Sequence, residues 1–124
     1  MIQYLYLFAG GVAGVFGRHF LASAIYRKWD GGLPIGTFIV NLSGCLLIGI
    51  FNSLAEQKMW MGPRERLLLM TGFCGGYTTF SALILESSNL VKDGKMGLAL
   101  AYLSLSVLCG FLLFRVGAWA GKAI

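Results

Sequence analysis

Four long, predominantly apolar stretches, from about Ile2 to Ile25, Pro34 to Leu54, Leu67 to Leu90 and Met96 to Ala120, restrict this chain to very few folds. Each is long enough to cross about 30 Å of hydrocarbon, which takes about 20 helical residues. Backbone polar groups find no water there, so a spanning stretch satisfies them internally as a helix. The connections left over are short and have no room for a soluble catalytic domain. Composition agrees: 57% of the 124 residues are hydrophobic and 12% charged, against about 45–50% and 25% in soluble domains. The expected fold is an all-α membrane protein, a single domain of four transmembrane helices over residues 1–124. Residues Met1 to Tyr6 contain no basic cluster, and the apolar run behind them is too long for a signal peptide. The first stretch is therefore expected to remain as a span.

Most of the net charge of +5 lies between the spans. Anchoring at lipid headgroups explains it better than a nucleic-acid groove, for which there is little polar surface. The first connection holds Arg27, Lys28, Trp29, Asp30, Gly31 and Gly32; the second holds Glu56, Lys58, Trp60, Pro63, Arg64, Glu65 and Arg66; the third is Lys92, Asp93, Gly94 and Lys95. Arg27, Lys28, Lys92 and Lys95 fall on one side of the membrane and Lys58, Arg64, Arg66 and Lys122 on the other. Arg18 and Arg115 add one charge to each side, so positive-inside bias favours neither orientation. A chain that inserts both ways can pair head to tail, and an antiparallel homodimer is expected. Gly10-x-x-x-Gly14, Gly72-x-x-x-Gly76 and Gly117-x-x-x-Gly121 are spaced for close helix packing. Cys45, Cys74 and Cys109 lie inside apolar runs and read as small buried fillers, with neither a disulfide nor a metal site expected.

Polar residues within the spans carry the functional signal. Asn41 lies mid-span with Thr37 one turn earlier, and its amide either joins two helices or donates to a solute. The segment Gly72-Phe73-Cys74-Gly75-Gly76-Tyr77-Thr78-Thr79-Phe80-Ser81 combines glycines, each costing a helix about 1 kcal/mol relative to alanine, with hydroxyls that compete for the backbone. It is either a kink or a true break, and a break would free carbonyls for a cation. Tyr77 and Phe80 are ordinary packing residues by periodicity, although an aromatic edge can favour an anion. Tyr102 and Ser106 share a face of the fourth span with Cys109 and Gly110. Arg18 and Glu86 are charges inside spans, either functional or reaching an interface. His19, the sole histidine, reads as structural. No nucleophile–base pair, phosphate loop or metal-ligand cluster is present in the sequence, and enzyme activity is not expected.

With these blocks in order, Gly10-Gly11-x-x-Gly14-x-x-Gly17-Arg18, Gly36-Thr37-x-x-x-Asn41-x-x-Gly44 and the Gly72 to Ser81 segment with Glu86 beyond, the sequence resembles the Fluc (CrcB) fluoride channels of microbes over essentially its whole length. The resemblance implies a dual-topology antiparallel homodimer in the cell inner membrane, with two pores passing fluoride down its gradient out of the cytoplasm. It implies a break in the third helix and a structural sodium ion at the dimer centre, on carbonyls of that broken helix, Gly75 and Thr78 from both subunits. It assigns Asn41, Thr79, Phe80, Ser81, Leu83, Tyr102 and Ser106 to the pore and Arg18 and Glu86 to its vestibule. Leu83 stands where the family's second pore phenylalanine is usual, and Gly110 where a serine often extends the polar track. These departures bear on rate and halide selectivity rather than on fold. A proton-coupled small multidrug exporter is the chief alternative, but it needs a carboxylate in the first span, which has none. A non-conducting membrane assembly subunit is the other.

Overall fold

The computed structural model describes residues 1–29, 31–57 and 60–124; Asp30 and Lys58, assigned above to connections, lie outside them. Every regular element among the described residues is helical: α1 (Ile2–Lys28), α2 (Ile35–Gln57), α3 (Pro63–Arg66), a π-helical segment (Leu67–Cys74), α4 (Gly75–Tyr77), α5 (Phe80–Lys92) and α6 (Met96–Ala123). Pro63–Lys92 acts as one interrupted span, giving four stretches long and apolar enough to cross a membrane. The sequence reading of a four-span membrane protein stands. The spans run a few residues further than their apolar cores. Arg27 and Lys28 form the last turn of α1, where cations suit the negative helix end. Pro63 opens α3 at a first-turn position, where its missing N–H costs nothing. Pro34, where the second apolar stretch begins, lies just before α2, and its carbonyl accepts the Phe38 N–H at 3.1 Å.

Glycine lets the backbones touch. A Cβ on Gly10 would overlap the Leu68 carbonyl, and one on Gly14 would overlap the Phe73 carbonyl and lie 2.8 Å from the Tyr77 nitrogen. From the other side, a Cβ on Gly76 would lie 2.8 Å from the Gly11 carbonyl oxygen. This is the seam between α1 and the third span. A second seam joins α2 to α6, where a Cβ on Gly49 or Gly117 would overlap the carbonyl of Phe114 or Leu46. Lipid tails are as apolar as leucine, so helices in a membrane are held by this close packing rather than by hydrophobic drive.

The ends are tied by polar contacts. The Thr37 N–H, one of the donors that the start of α2 leaves without a helical partner, reaches the Tyr26 hydroxyl at 3.4 Å. At the far end of α2, Arg66 donates from Nη2 to the Ala55 carbonyl at 2.9 Å and from Nε to the Met61 carbonyl at 3.5 Å. Helix α5 stops in a Schellman turn: Lys95 N–H reaches the Leu90 carbonyl at 2.8 Å, Gly94 N–H reaches Val91 at 3.0 Å, and Gly94 adopts φ +77°.

These seams yield a direct test. Gly14→Ala drives a methyl into backbone that cannot yield, and overpacking of this kind costs about 1–3 kcal/mol. We expect a lower melting temperature in detergent for Gly14→Ala and none for Gly97→Ala, which meets open space on α6.

Candidate functional site: the break in the third span

Near the midpoint of Pro63–Lys92 the helix stops. Helix α4 ends at Tyr77; Thr78 (φ −90°, ψ 159°) and Thr79 (φ −149°, ψ 116°) are extended, and α5 begins at Phe80. A break at this depth must find its hydrogen bonds inside the protein. Asn41 on α2 supplies two: its Oδ1 accepts the Thr79 N–H at 2.8 Å, and its Nδ2 donates to the Thr79 carbonyl at 3.1 Å. The side chain thus pairs with one residue as a neighbouring β-strand would. Thr78 turns back onto the Cys74 carbonyl through both its N–H (3.0 Å) and its Oγ1 (2.9 Å). Thr79 caps α5, its Oγ1 accepting the Ala82 N–H at 3.2 Å. In a continuous helix the Thr79 N–H would serve the Gly75 carbonyl. Turned to Asn41, it leaves that carbonyl without its helical donor.

A cavity of about 340 Å³ opens on the break, lined by Asn41, Cys45, Gly75, Thr78, Thr79, Phe80, Leu83 and Ser106 among others. Ser106 Oγ is buried with no hydrogen-bond partner. Leaving such a group unpaired costs about 1–3 kcal/mol, a deficit that a solute or water in the cavity can make good. The positive end of α5 faces the same space. Phe80 is 73% exposed, whereas Leu83 is 5% exposed, packed with Leu90, Ala99 and Tyr102 while still reaching the cavity wall. Ser81 is exposed, its Oγ 3.4 Å from Thr79 Oγ1.

The remaining candidates gather elsewhere. Glu86 accepts a hydrogen bond from Thr37 Oγ1 at 2.6 Å and another from the Tyr102 hydroxyl at 2.9 Å. Glu86 is half-buried, its carboxyl held by hydroxyls of two buried residues, and it also lines a groove with Tyr26, Asn89 and Asp93. Tyr102 and Ser106 share a helix face, yet Tyr102 points its hydroxyl to Glu86 while Ser106 faces the cavity. Arg18 and His19 line a separate groove of about 480 Å³ that also touches Thr37 and Thr79. The break and the Glu86 cluster are therefore linked through Thr37 and Thr79.

Sequence reasoning missed Ser43 as a participant and treated Tyr77 as packing only. Tyr77 is buried and its ring stacks on Phe73 (5.5 Å, 13°), but its hydroxyl also lies 2.9 Å from Ser43 Oγ. The readable signal was the helical spacing of Thr37, Asn41 and Gly44, which marked the face of α2 turned towards the third span.

A discontinuous membrane helix joins a negative helix end, bearing free carbonyls, to a positive one, bearing free N–H groups. It can hold a cation and an anion a few residues apart. The class so defined is a multi-pass membrane protein that handles small ions. The family model described as CrcB-like protein, Camphor Resistance (CrcB), matches residues 5–118, and the chain belongs to that family. A Moorella thermoacetica protein named fluoride-specific ion channel FluC 1 is 42% identical over 119 residues, 96% of this chain and 85% of that protein. The fluoride-specific ion channel FluC of Maridesulfovibrio salexigens is 38% identical over 124 residues, all of this chain and 98% of its own. A protein of the same name from Chlorobium phaeobacteroides is 43% identical over 114 residues, covering 90% and 88%. These relatives are named as channels, and the family is not one of enzymes.

The pairing of Asn41 with Thr79 gives a prediction about stability. Asn41→Ala leaves the Thr79 N–H and carbonyl unpaired at membrane depth, with an expected loss of about 2–4 kcal/mol. Thermal unfolding in detergent should show it, and Asn52→Ala, at an exposed end-of-helix pair with Glu56, should not.

Proposed function

We propose that the chain is a passive fluoride-selective channel of the cell inner membrane, exporting fluoride from the cytoplasm down its electrochemical gradient. The observation that carries this reading is the unpartnered Ser106 hydroxyl on the cavity at the positive end of α5. Fluoride is small and strongly hydrated, so a pore must supply weak replacement contacts as water is stripped away. Asn41 retains one amide hydrogen after bonding Thr79, and Thr79, Ser81 and Ser106 add hydroxyls. Phe80 offers an aromatic edge, while Leu83 forms wall without a quadrupole. Tyr102 joins this path to the vestibule, where Arg18 raises anion concentration and Glu86 is held by Thr37. The exporter alternative lacks its carboxylate in Ile2–Lys28, and the relatives' names favour neither alternative.

Initial fluoride efflux from proteoliposomes tests the function. We expect passive, electrogenic flux that is unchanged by dissipating a proton gradient. Flux that requires a proton gradient, or none at all from folded protein, contradicts it.

The working unit in this reading is an antiparallel homodimer of dual topology. The balanced basic residues support it, as does the open cavity with Phe80 exposed beside it. The Gly75 carbonyl, deprived of its helical donor, and the carbonyl of extended Thr78 are hard oxygen ligands, and they fit a sodium ion shared between two copies. Bound there, sodium would neutralise the converging carbonyls and hold the subunits together. Replacing sodium with a large organic cation is expected to weaken the dimer in size-exclusion chromatography and to slow efflux. Tags on the two termini should be accessible from both sides of the membrane. A dimer and flux indifferent to sodium would contradict the cation site, and tags all on one side would contradict dual topology.

A further inference from the structure

Each residue of the break is matched by a residue in one turn of α2. Thr79 pairs with Asn41 through two hydrogen bonds. The Thr78 methyl fills the space over Gly44, where any Cβ would overlap it. Tyr77 meets Ser43, hydroxyl to hydroxyl, at 2.9 Å. The direction of that bond follows from proton counting. Ser43 has one hydroxyl hydrogen and donates it to the Val40 carbonyl at 2.9 Å, so the Tyr77 hydroxyl is the donor to Ser43. Tyr77 has little room to choose otherwise. Its ring is stacked on Phe73, with one edge 3.5 Å from where a Cβ of Gly17 would stand on α1 and the other 3.3 Å from where one of Gly44 would stand on α2.

We propose that Ser43 and Tyr77 are positioning residues for conduction, forming a latch that fixes the last turn before the break. Tyr77 lies between Gly75 and Thr78, and it is the one side chain that ties α4 to α2 by a hydrogen bond. Rotation of α4 about its axis would swing the Gly75 carbonyl away while Asn41 still held Thr79. The latch removes that freedom. With Tyr77 anchored ahead of Thr78 and Asn41 anchored behind it, the direction of the Thr78 carbonyl is set from both ends. The consequence for sodium rests on the cation reading given above; the coupling between Ser43 and Tyr77 does not.

The experiment is a double-mutant cycle with the full chain in proteoliposomes, using Tyr77→Phe, Ser43→Ala and the two combined. Tyr77→Phe keeps the stacked ring and removes only the donor. Each single variant is expected to slow initial fluoride efflux about fivefold, the scale set by one net hydrogen bond. The combined variant should be no slower than the slower single one, because the same contact is lost once. Ser43→Thr, which keeps a hydroxyl, should restore most of the rate. The sodium concentration for half-maximal flux should rise by a similar factor in Tyr77→Phe, a readout that packing loss alone would not move. Wild-type rates in both single variants, losses that multiply in the combined variant, or an unshifted sodium dependence in a sodium-dependent wild type would overturn the proposal. If wild-type flux ignores sodium, the cation reading fails, and the cycle in flux still decides the latch. If wild type carries no fluoride, the channel reading fails, and the same cycle in melting temperature decides it: coupling supports the contact and additivity removes it.

Discussion

The exchange of two hydrogen bonds between Asn41 and the backbone of Thr79 is the constraint on which the rest of the molecule turns. Hydrocarbon offers no water to a broken helix, so the break exists only where a neighbour presents a donor and an acceptor together. A primary amide is the shortest side chain that does both with peptide-like spacing. Aspartate would set an acceptor against the Thr79 carbonyl, and threonine would not span the pair. The position of α2 along the third span is therefore fixed by the break itself.

The other contacts make sense as means of holding that register. Tyr26 meets the start of α2 and Arg66 its end, so α2 is tied to both α1 and the third span on either side of Asn41. The two glycine seams then set distances between axes, with carbonyls of one helix packed where the next has no side chain. Polar contacts fix register and glycine contacts fix separation. Neither needs a large apolar core, and the largest fully buried side chains are only Val40, Cys74 and Ser53. The bulky apolar residues instead face outwards, Phe8, Phe20, Leu108, Phe111 and Trp119 among them, as suits a protein whose solvent is lipid.

The spans were legible because hydropathy reports the one-dimensional cost of crossing a membrane, and the glycine spacing announced the seams. The crowded glycines and hydroxyls from Gly72 to Ser81 pointed to a break with a kink as the alternative, since composition lowers helix stability without saying where the freed groups go. Asn41 was visible as a polar intruder, but its partner was 38 residues away and on backbone, which leaves no trace in sequence. The same holds for Glu86: its two hydroxyl partners, Thr37 and Tyr102, come from different spans. The π-helical segment Leu67–Cys74 was not foreseen, because its apolar residues are compatible with either kind of helix.

A break of this kind also bears on the proposal that two copies of the chain work together. Its two ends carry opposite partial charges within a few residues of each other, so one interruption could serve both the proposed cation site and the proposed anion path. On the anion side the chain supplies much of the lining itself, from α2, α5 and α6. On the cation side proposed above it would supply two carbonyls, those of Gly75 and Thr78, too few to replace the hydration of a hard ion. In the antiparallel dimer proposed above, a second copy would bring its own two carbonyls to the same axis and would cover the side of the cavity where Phe80 stands exposed. Balanced basic residues at the two membrane faces permit such a pair, and the broken helix gives it a reason to form.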